Sequence, residues 1–184
     1  EGKIMIDGLD INDLTIKSIR QQVGVMLQDS FLFTGSIIDN IRYGRLDATD
    51  EECMNAAKAV QAHEFISAFP DGYNTQLSAN GGGLSAGQKQ LISFARVLLS
   101  DPRILILDEA TSSVDTQTEK ALQKGLDELL KHRTSFIIAH RLSTIRNADI
   151  IFYVNYGVIE ERGNHDELMA LKGEYYKMIE RTNI

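Results

Sequence analysis

The 184-residue sequence contains no tryptophan, two prolines and one cysteine, and aromatic residues make up only 7% of it. The lone cysteine, Cys53, excludes an internal disulfide framework and a cysteine-built metal site. With prolines only at Pro70 and Pro102, and with no repeat or low-complexity tract, no stretch reads as an interdomain linker. The longest unbroken aliphatic or aromatic run is five residues, Ile150 to Val154, far short of the ~20 that span a bilayer. The opening residues Glu1-Gly2-Lys3-Ile4 lack the charged-then-apolar order of a signal peptide. Positive charge is also in deficit. Lysine plus arginine is 19 against 26 aspartate plus glutamate, a formal net charge of −7, which argues against broad nucleic-acid binding. What is present, 43% hydrophobic and 24% charged residues, suffices for one packed domain and reads as a soluble intracellular one.

Periodicity divides the chain into three styles. Lys3 to Gly8 reads as a short strand and turn, and Val23 to Leu27 as a second strand. From Asp29 to about Ser100 the pattern is helical: Thr49 and Glu52 are spaced as a capping box, Pro70-Asp71-Gly72 is a break, and Gly81-Gly82-Gly83 is a loop. Ser85 and Gln88 are spaced as another capping box, opening a helix with apolar positions at Leu91, Ala95, Leu98 and Leu99. After Asp101-Pro102 the style becomes βαβ. Ile104 to Leu107 is apolar at every residue, as a strand covered on both faces should be. A capped helix follows, with Thr116 and Glu119 at its start and Leu122, Leu126, Leu129 and Leu130 on one face. Ser135 to Ala139 and Ile150 to Val154 are further buried strands, Val158 to Glu160 is the return arm of a hairpin turning near Gly157, and Asn164 and Glu167 cap a final helix. The fold class predicted is α/β, a mostly parallel sheet with an α-helical insertion.

Four groups can carry chemistry. Asp108 and Glu109 end the strand Ile104 to Leu107, and strand carboxyl ends are where open α/β sheets bind ligands. One carboxylate there can hold Mg²⁺ and the other can orient or deprotonate a water; the pair reads equally well as the acidic first turn of a helix. Ser85, followed by Ala86 and Gly87, sits at a helix N-terminus after three glycines, a setting that attracts phosphate; it is also simply the cap for Gln88. His140 ends the strand Ser135 to Ala139, and Gln28 follows Val23 to Leu27; each could reach a phosphate, metal or water, and each could be an ordinary structural polar residue. His63, His132 and His165 have no partner at metal-ligand spacing and are assigned to structure, and Cys53 to packing.

Taken in order, these residues resemble the nucleotide-binding cassette of ABC transporters over the whole chain. Gln28 in Val25 to Phe33 resembles the Q-loop, Leu84 to Gln88 the signature usually written LSGGQ, Asp108 and Glu109 the Walker B aspartate and catalytic glutamate, Ser112 to Asp115 the D-loop, and His140 the switch histidine. The segments Asp108 to Ser112 and Ala139 to Thr144 are most similar to exporters that fuse membrane helices to the cassette. The resemblance implies a P-loop-NTPase-like sheet, with residues 1–28 and 101–184 as an α/β core lobe and 29–100 as a helical lobe. It implies an ATPase in which two cassettes close head to tail over ATP and Mg²⁺. Glu109, His140 and Gln28 would act in catalysis, Asp108 and Gln28 would face the metal, and Ser85, Gly87, Gln88 and Asp115 would bind nucleotide or signal across the dimer. Its partners would be a second cassette and transmembrane domains, not nucleic acid, at the cytoplasmic side of the membrane.

Three departures qualify the resemblance. The phosphate-cradling string GxxxxGK[ST] does not occur, so the chain reads as the last two-thirds of a cassette, expected to be inactive alone. A vacant slot in its sheet is expected to make it self-associate. Ala86 replaces the first glycine of the signature pair, and Ala79 a glutamate common in exporters. A different reading is a non-catalytic module that lends its signature helix to a full-length partner. A cassette ATPase of DNA repair or translation is disfavoured by the net acidity.

Overall fold

Short-range signals place most elements of the computed structural model, which describes residues 2–28, 30–108, 115–139 and 142–182. Asp7 and Gly8, both at positive φ, fold strand β1 (Met5–Ile6) back onto β2 (Leu9–Asp10), as a two-residue primed turn requires. Thr15 caps α1 (Ile16–Gln22), which leads into β3 (Val23–Met26). β4 (Gly35–Ser36) precedes α2 (Ile37–Arg42), whose cap is Ser36. α3 (Asp50–Ala59) opens with the Thr49–Glu52 capping box, and α4 (His63–Ser67) follows. β5 (Gln76–Leu77) pairs antiparallel with β4. α5 (Ala86–Ser100) opens with the Ser85–Gln88 capping box. Then come β6 (Ile104–Asp108), α6 (Thr116–Leu130), β7 (Thr134–Ile138) and α7 (Leu142–Arg146). β8 (Ile151–Asn155), β9 (Val158–Gly163), α8 (His165–Leu171) and α9 (Glu174–Thr182) close the described chain.

The chain forms two units, Glu1–Ile137 and Ile138–Ile184. In the first, a sheet runs in the order β3-β6-β7, with β3 and β6 parallel and Val23 to Met26 in register with Ile104 to Leu107. Helices α2, α3 and α6 pack on α5 around fully buried Ile37, Ile41, Cys53, Val60, Ile92 and Leu129. Cys53 is therefore packing, and burial raises its thiol pKa.

The apolar run in β6 is covered on one face only. Leu105 and Leu107 join the helical core at 0% and 4% exposure, whereas Ile106 is 38% exposed beside its register partner Val25 at 53%. Alternate side chains of a strand point to opposite faces, and among the described residues no helix core covers the second face. In β7 the same alternation leaves Phe136 exposed, so Ser135 to Ala139 is not the buried strand that its composition suggests.

In the second unit, Tyr156 and Gly157, both at positive φ, turn β8 back onto β9 as an antiparallel hairpin. Asn164 and Glu167 form the capping box of α8. That helix is not the last, because Lys172 in the left-handed region and Gly173 reverse the chain into α9. The Glu161 carboxylate of β9 accepts the Glu174 and Tyr175 amides that start α9. Leu168, Tyr175 and Ile179 form the buried core of this unit.

Candidate nucleotide site

The parallel register of β3 and β6 positions the acidic edge. Met26 pairs with Leu107, so the chain leaving β3 at Leu27-Gln28 and the last residue of β6, Asp108, emerge at the same carboxyl edge of adjacent strands. Neighbouring strands lie ~4.8 Å apart, so the two residues leave the sheet side by side at one edge. Gln28 is exposed and Asp108 is half-buried. Glu109 and His140, the other two residues expected at this edge, lie outside the described residues.

A second constellation sits at the start of α5. The Ser85 hydroxyl accepts the Gln88 amide at 3.2 Å, and the Gln88 side-chain oxygen accepts the Ser85 amide at 3.0 Å. Lys89 N–H already donates to the Ser85 carbonyl. The amides of Ala86 and Gly87 therefore have no acceptor from within the helix, as at any helix start. Aligned peptide dipoles add a partial positive charge at that end of the 15-residue helix. Ser85 and Ala86 are exposed and Gly87 is buried, so an anion would reach this helix start from the Ser85–Ala86 side. The capping-box reading of Ser85 and Gln88 holds, with both reciprocal hydrogen bonds present.

Asp115 is the cap of α6, which starts at Thr116 as the sequence indicates. Its Oδ1 accepts the amides of Gln117 and Thr118 at 3.1 and 3.0 Å. Hydrogen bonding from Thr118, side chain first and backbone next, holds the Asp115 carboxyl below its ordinary 3.8. A depressed carboxylate stabilises the fold in full above the unfolded value and loses that contribution as pH falls through the folded one. The start of α6 should therefore hold its cap down to pH values under 3.8. A carbon-detected NMR titration of Asp115 should give a midpoint below that value, and a midpoint at or above it would overturn the assignment.

The remaining histidines are accounted for by structure where hydrogen bonds are seen. His63 Nδ1 lies 2.9 Å from the Tyr73 hydroxyl, and His165 Nδ1 lies 2.7 Å from the Tyr175 hydroxyl. Burial pushes the Tyr73 hydroxyl up to about 12. Among the described residues no group of three His, Cys, Asp or Glu could hold a metal, and no helix is long and apolar enough to cross a membrane.

Two residues beside these constellations have no short-range signal in the sequence. Asn40 of α2 is 1% exposed. Its Oδ1 accepts the Phe33 amide at 2.8 Å, and its Nδ2 donates to the Phe33 and Ser36 carbonyls at 2.9 and 3.0 Å. Arg96 of α5 donates to the Asn40 carbonyl, the Phe31 carbonyl and Asn40 Oδ1 at 2.8, 3.0 and 3.0 Å.

A strand-end acid, a polar residue on the neighbouring strand's exit and a capped helix start lie where parallel α/β folds place their ligand-facing residues. The chain belongs to the ABC transporter family, whose description matches residues 1–112. It is 56% identical over 180 residues to an uncharacterised ABC transporter ATP-binding protein of Bacillus subtilis, covering 98% of this chain and 30% of that protein. It is 53% identical over 177 residues to a fatty acid ABC transporter ATP-binding/permease protein of Mycobacterium bovis, covering 96% of this chain and 28% of that protein. Among solved structures it superimposes on a bacterial Atm1-family ABC exporter with ATP bound, at a TM-score of 0.91 and 41% identity, over 100% of this chain and 32% of that one. The chain thus spans between 13% and 32% of the length of these and other curated relatives that it matches.

Proposed function

We propose that this chain is the part of an ABC exporter's nucleotide-binding cassette that carries the Q-loop, signature, Walker B acid, catalytic glutamate and switch histidine. The whole protein would couple MgATP hydrolysis to transport, with its cassettes on the cytoplasmic side of the membrane. In this reading residues 1–28 and 101–184 form the core lobe and 29–100 the helical lobe. The observation that carries it is the β3–β6 register, which delivers Gln28 and Asp108 to one sheet edge, where α/β sheets bind their ligands.

The residues divide the work by chemistry. One strand-end carboxylate and one neutral amide oxygen suit Mg²⁺, which keeps several waters and takes few protein ligands. Asp108 and Gln28 would hold it. Bound there, Mg²⁺ would supply charge neutralisation at the phosphate oxygens. Glu109, the next residue after Asp108, would orient the attacking water and accept its proton. His140 would donate a hydrogen bond to the terminal phosphate. Ser85, the amides of Ala86 and Gly87, and the neighbouring Gln88 would face the terminal phosphate held by a second cassette, packed head to tail. Asp115, fixed as a helix cap, would face that same dimer boundary. Membrane helices elsewhere in the whole protein would move as the cassettes close and reopen.

A polypeptide of these 184 residues alone lacks the GxxxxGK[ST] cradle and should bind no MgATP by calorimetric titration, while the full-length protein binds and hydrolyses it. Light scattering of the same polypeptide should show association, because Val25, Ile106 and Phe136 expose an apolar sheet face. Micromolar MgATP binding by the polypeptide would favour the non-catalytic module that supplies a signature helix in trans. A full-length protein without ATP turnover would overturn the ATPase reading.

A further inference from the structure

The Arg96 guanidinium joins α5 to the chain that follows Gln28, reaching acceptors 56 and 65 positions away in sequence. Its α5 is capped by Ser85. Its three donors reach the chain that follows Gln28: Nη1 to the Phe31 carbonyl, Nη2 to Asn40 Oδ1 and Nε to the Asn40 carbonyl. Asn40 in turn grips both the amide and the carbonyl of Phe33. The guanidinium carbon lies 5.3 Å from the centroid of the Phe33 ring, which stacks on Tyr43 at 4.2 Å. Its partners among the described residues are carbonyl and amide oxygens, and burial lowers its pKa from the ordinary arginine value.

A planar fork with fixed donor directions defines a relative position in a way that a point charge does not. We propose that Arg96 is a positioning residue that locks the segment after Gln28 to the signature helix, so that the Gln28 edge and the Ser85 helix start move as one body when the cassette engages nucleotide. The proposal rests on the ATPase reading above for its effect on turnover, but not for its effect on local order. Arg96 acts through Phe31, Phe33 and Asn40. The backbone gives the lock a second contact at the same place, since the α2 terminus at Gly44 lies against the Arg96 carbonyl.

The test compares Arg96→Lys and Arg96→Gln with wild type in the full-length protein reconstituted in lipid nanodiscs. Lysine keeps the charge and most of the aliphatic stem but cannot make three directed contacts. Hydrogen exchange should therefore quicken at residues 31–36 in both variants, with α6 unchanged. MgATP kcat per folded molecule should fall about 10- to 100-fold, as expected when reacting groups are slightly misplaced, while KM stays near wild type. A merely stabilising arginine would lower the yield of folded protein and leave kcat per folded molecule and the KM intact. That result in Arg96→Lys, together with unchanged exchange at 31–36, overturns the proposal. If wild type itself fails to hydrolyse ATP, the ATPase reading falls, and the exchange measurement still decides whether Arg96 holds the segment.

Discussion

Glu109→Gln in the full-length protein is expected to lower ATP turnover by about 10²- to 10⁴-fold, the range for losing a positioned general base, while nucleotide binding persists. β6 ends at Asp108 on the carboxyl edge of the sheet, and Glu109 is the next residue in the chain. Glutamine keeps the size and one hydrogen-bonding oxygen but cannot take a proton from water. The loss should therefore fall on kcat, because an interaction made only in the transition state leaves ground-state binding alone. Asp108→Asn should behave differently: in the proposed role its carboxylate would hold Mg²⁺ in the ground state too, so weaker MgATP binding should accompany slower turnover. Nucleotide affinity measured with a fluorescent ATP analogue separates the two. Turnover in Glu109→Gln indistinguishable from wild type would remove Glu109 from the mechanism and leave the acidic pair as a helix start.

The features that the sequence announces are those whose partners lie three or four residues away. The Thr49–Glu52, Ser85–Gln88 and Asn164–Glu167 boxes are each reciprocal pairs in the structure, because a capping box is written in residue types at fixed spacing. The start of α6 at Thr116 is legible in the same way, while its cap, Asp115, is supplied by the residue before it. Helix α1 goes unannounced because it buries none of its residues and so carries no apolar stripe. The run Ile104 to Leu107 announces burial on both faces, yet side-chain alternation and one-sided packing leave Ile106 exposed. Gln28 and Asp108 are legible only as strand ends; that they share an edge is a property of register between strands about 80 residues apart in sequence. Arg96 is illegible altogether. Two of its three acceptors are backbone carbonyls, which every residue has, at 56 and 65 positions' distance.

Gly44 shows how tightly that long-range junction is built, and Gly44→Ala should be among the most destabilising single-methyl additions in the chain. A Cβ placed there would meet the Arg96 carbonyl oxygen at 2.0 Å, the Arg96 carbonyl carbon at 3.0 Å and the Ser100 amide nitrogen at 3.3 Å. All three are backbone atoms of α5, so no side chain can rotate out of the way. Either the end of α2 or the middle of α5 must move, at an overpacking cost of about 1–3 kcal/mol. For a chain of this size that lowers the thermal midpoint by about 2–12 °C. The displaced α2 carries Asn40 away from Arg96, which gives the variant a second signature. With the fork already opened by Gly44→Ala, adding Arg96→Lys should cost little further turnover, whereas independent sites would multiply their effects. Thermal unfolding and kcat of the two single variants and the double variant test both points. A full multiplicative loss in the double variant would mean that Gly44 and Arg96 act separately. An unchanged midpoint in Gly44→Ala would mean that α2 yields without strain and that the junction is looser than its contacts indicate.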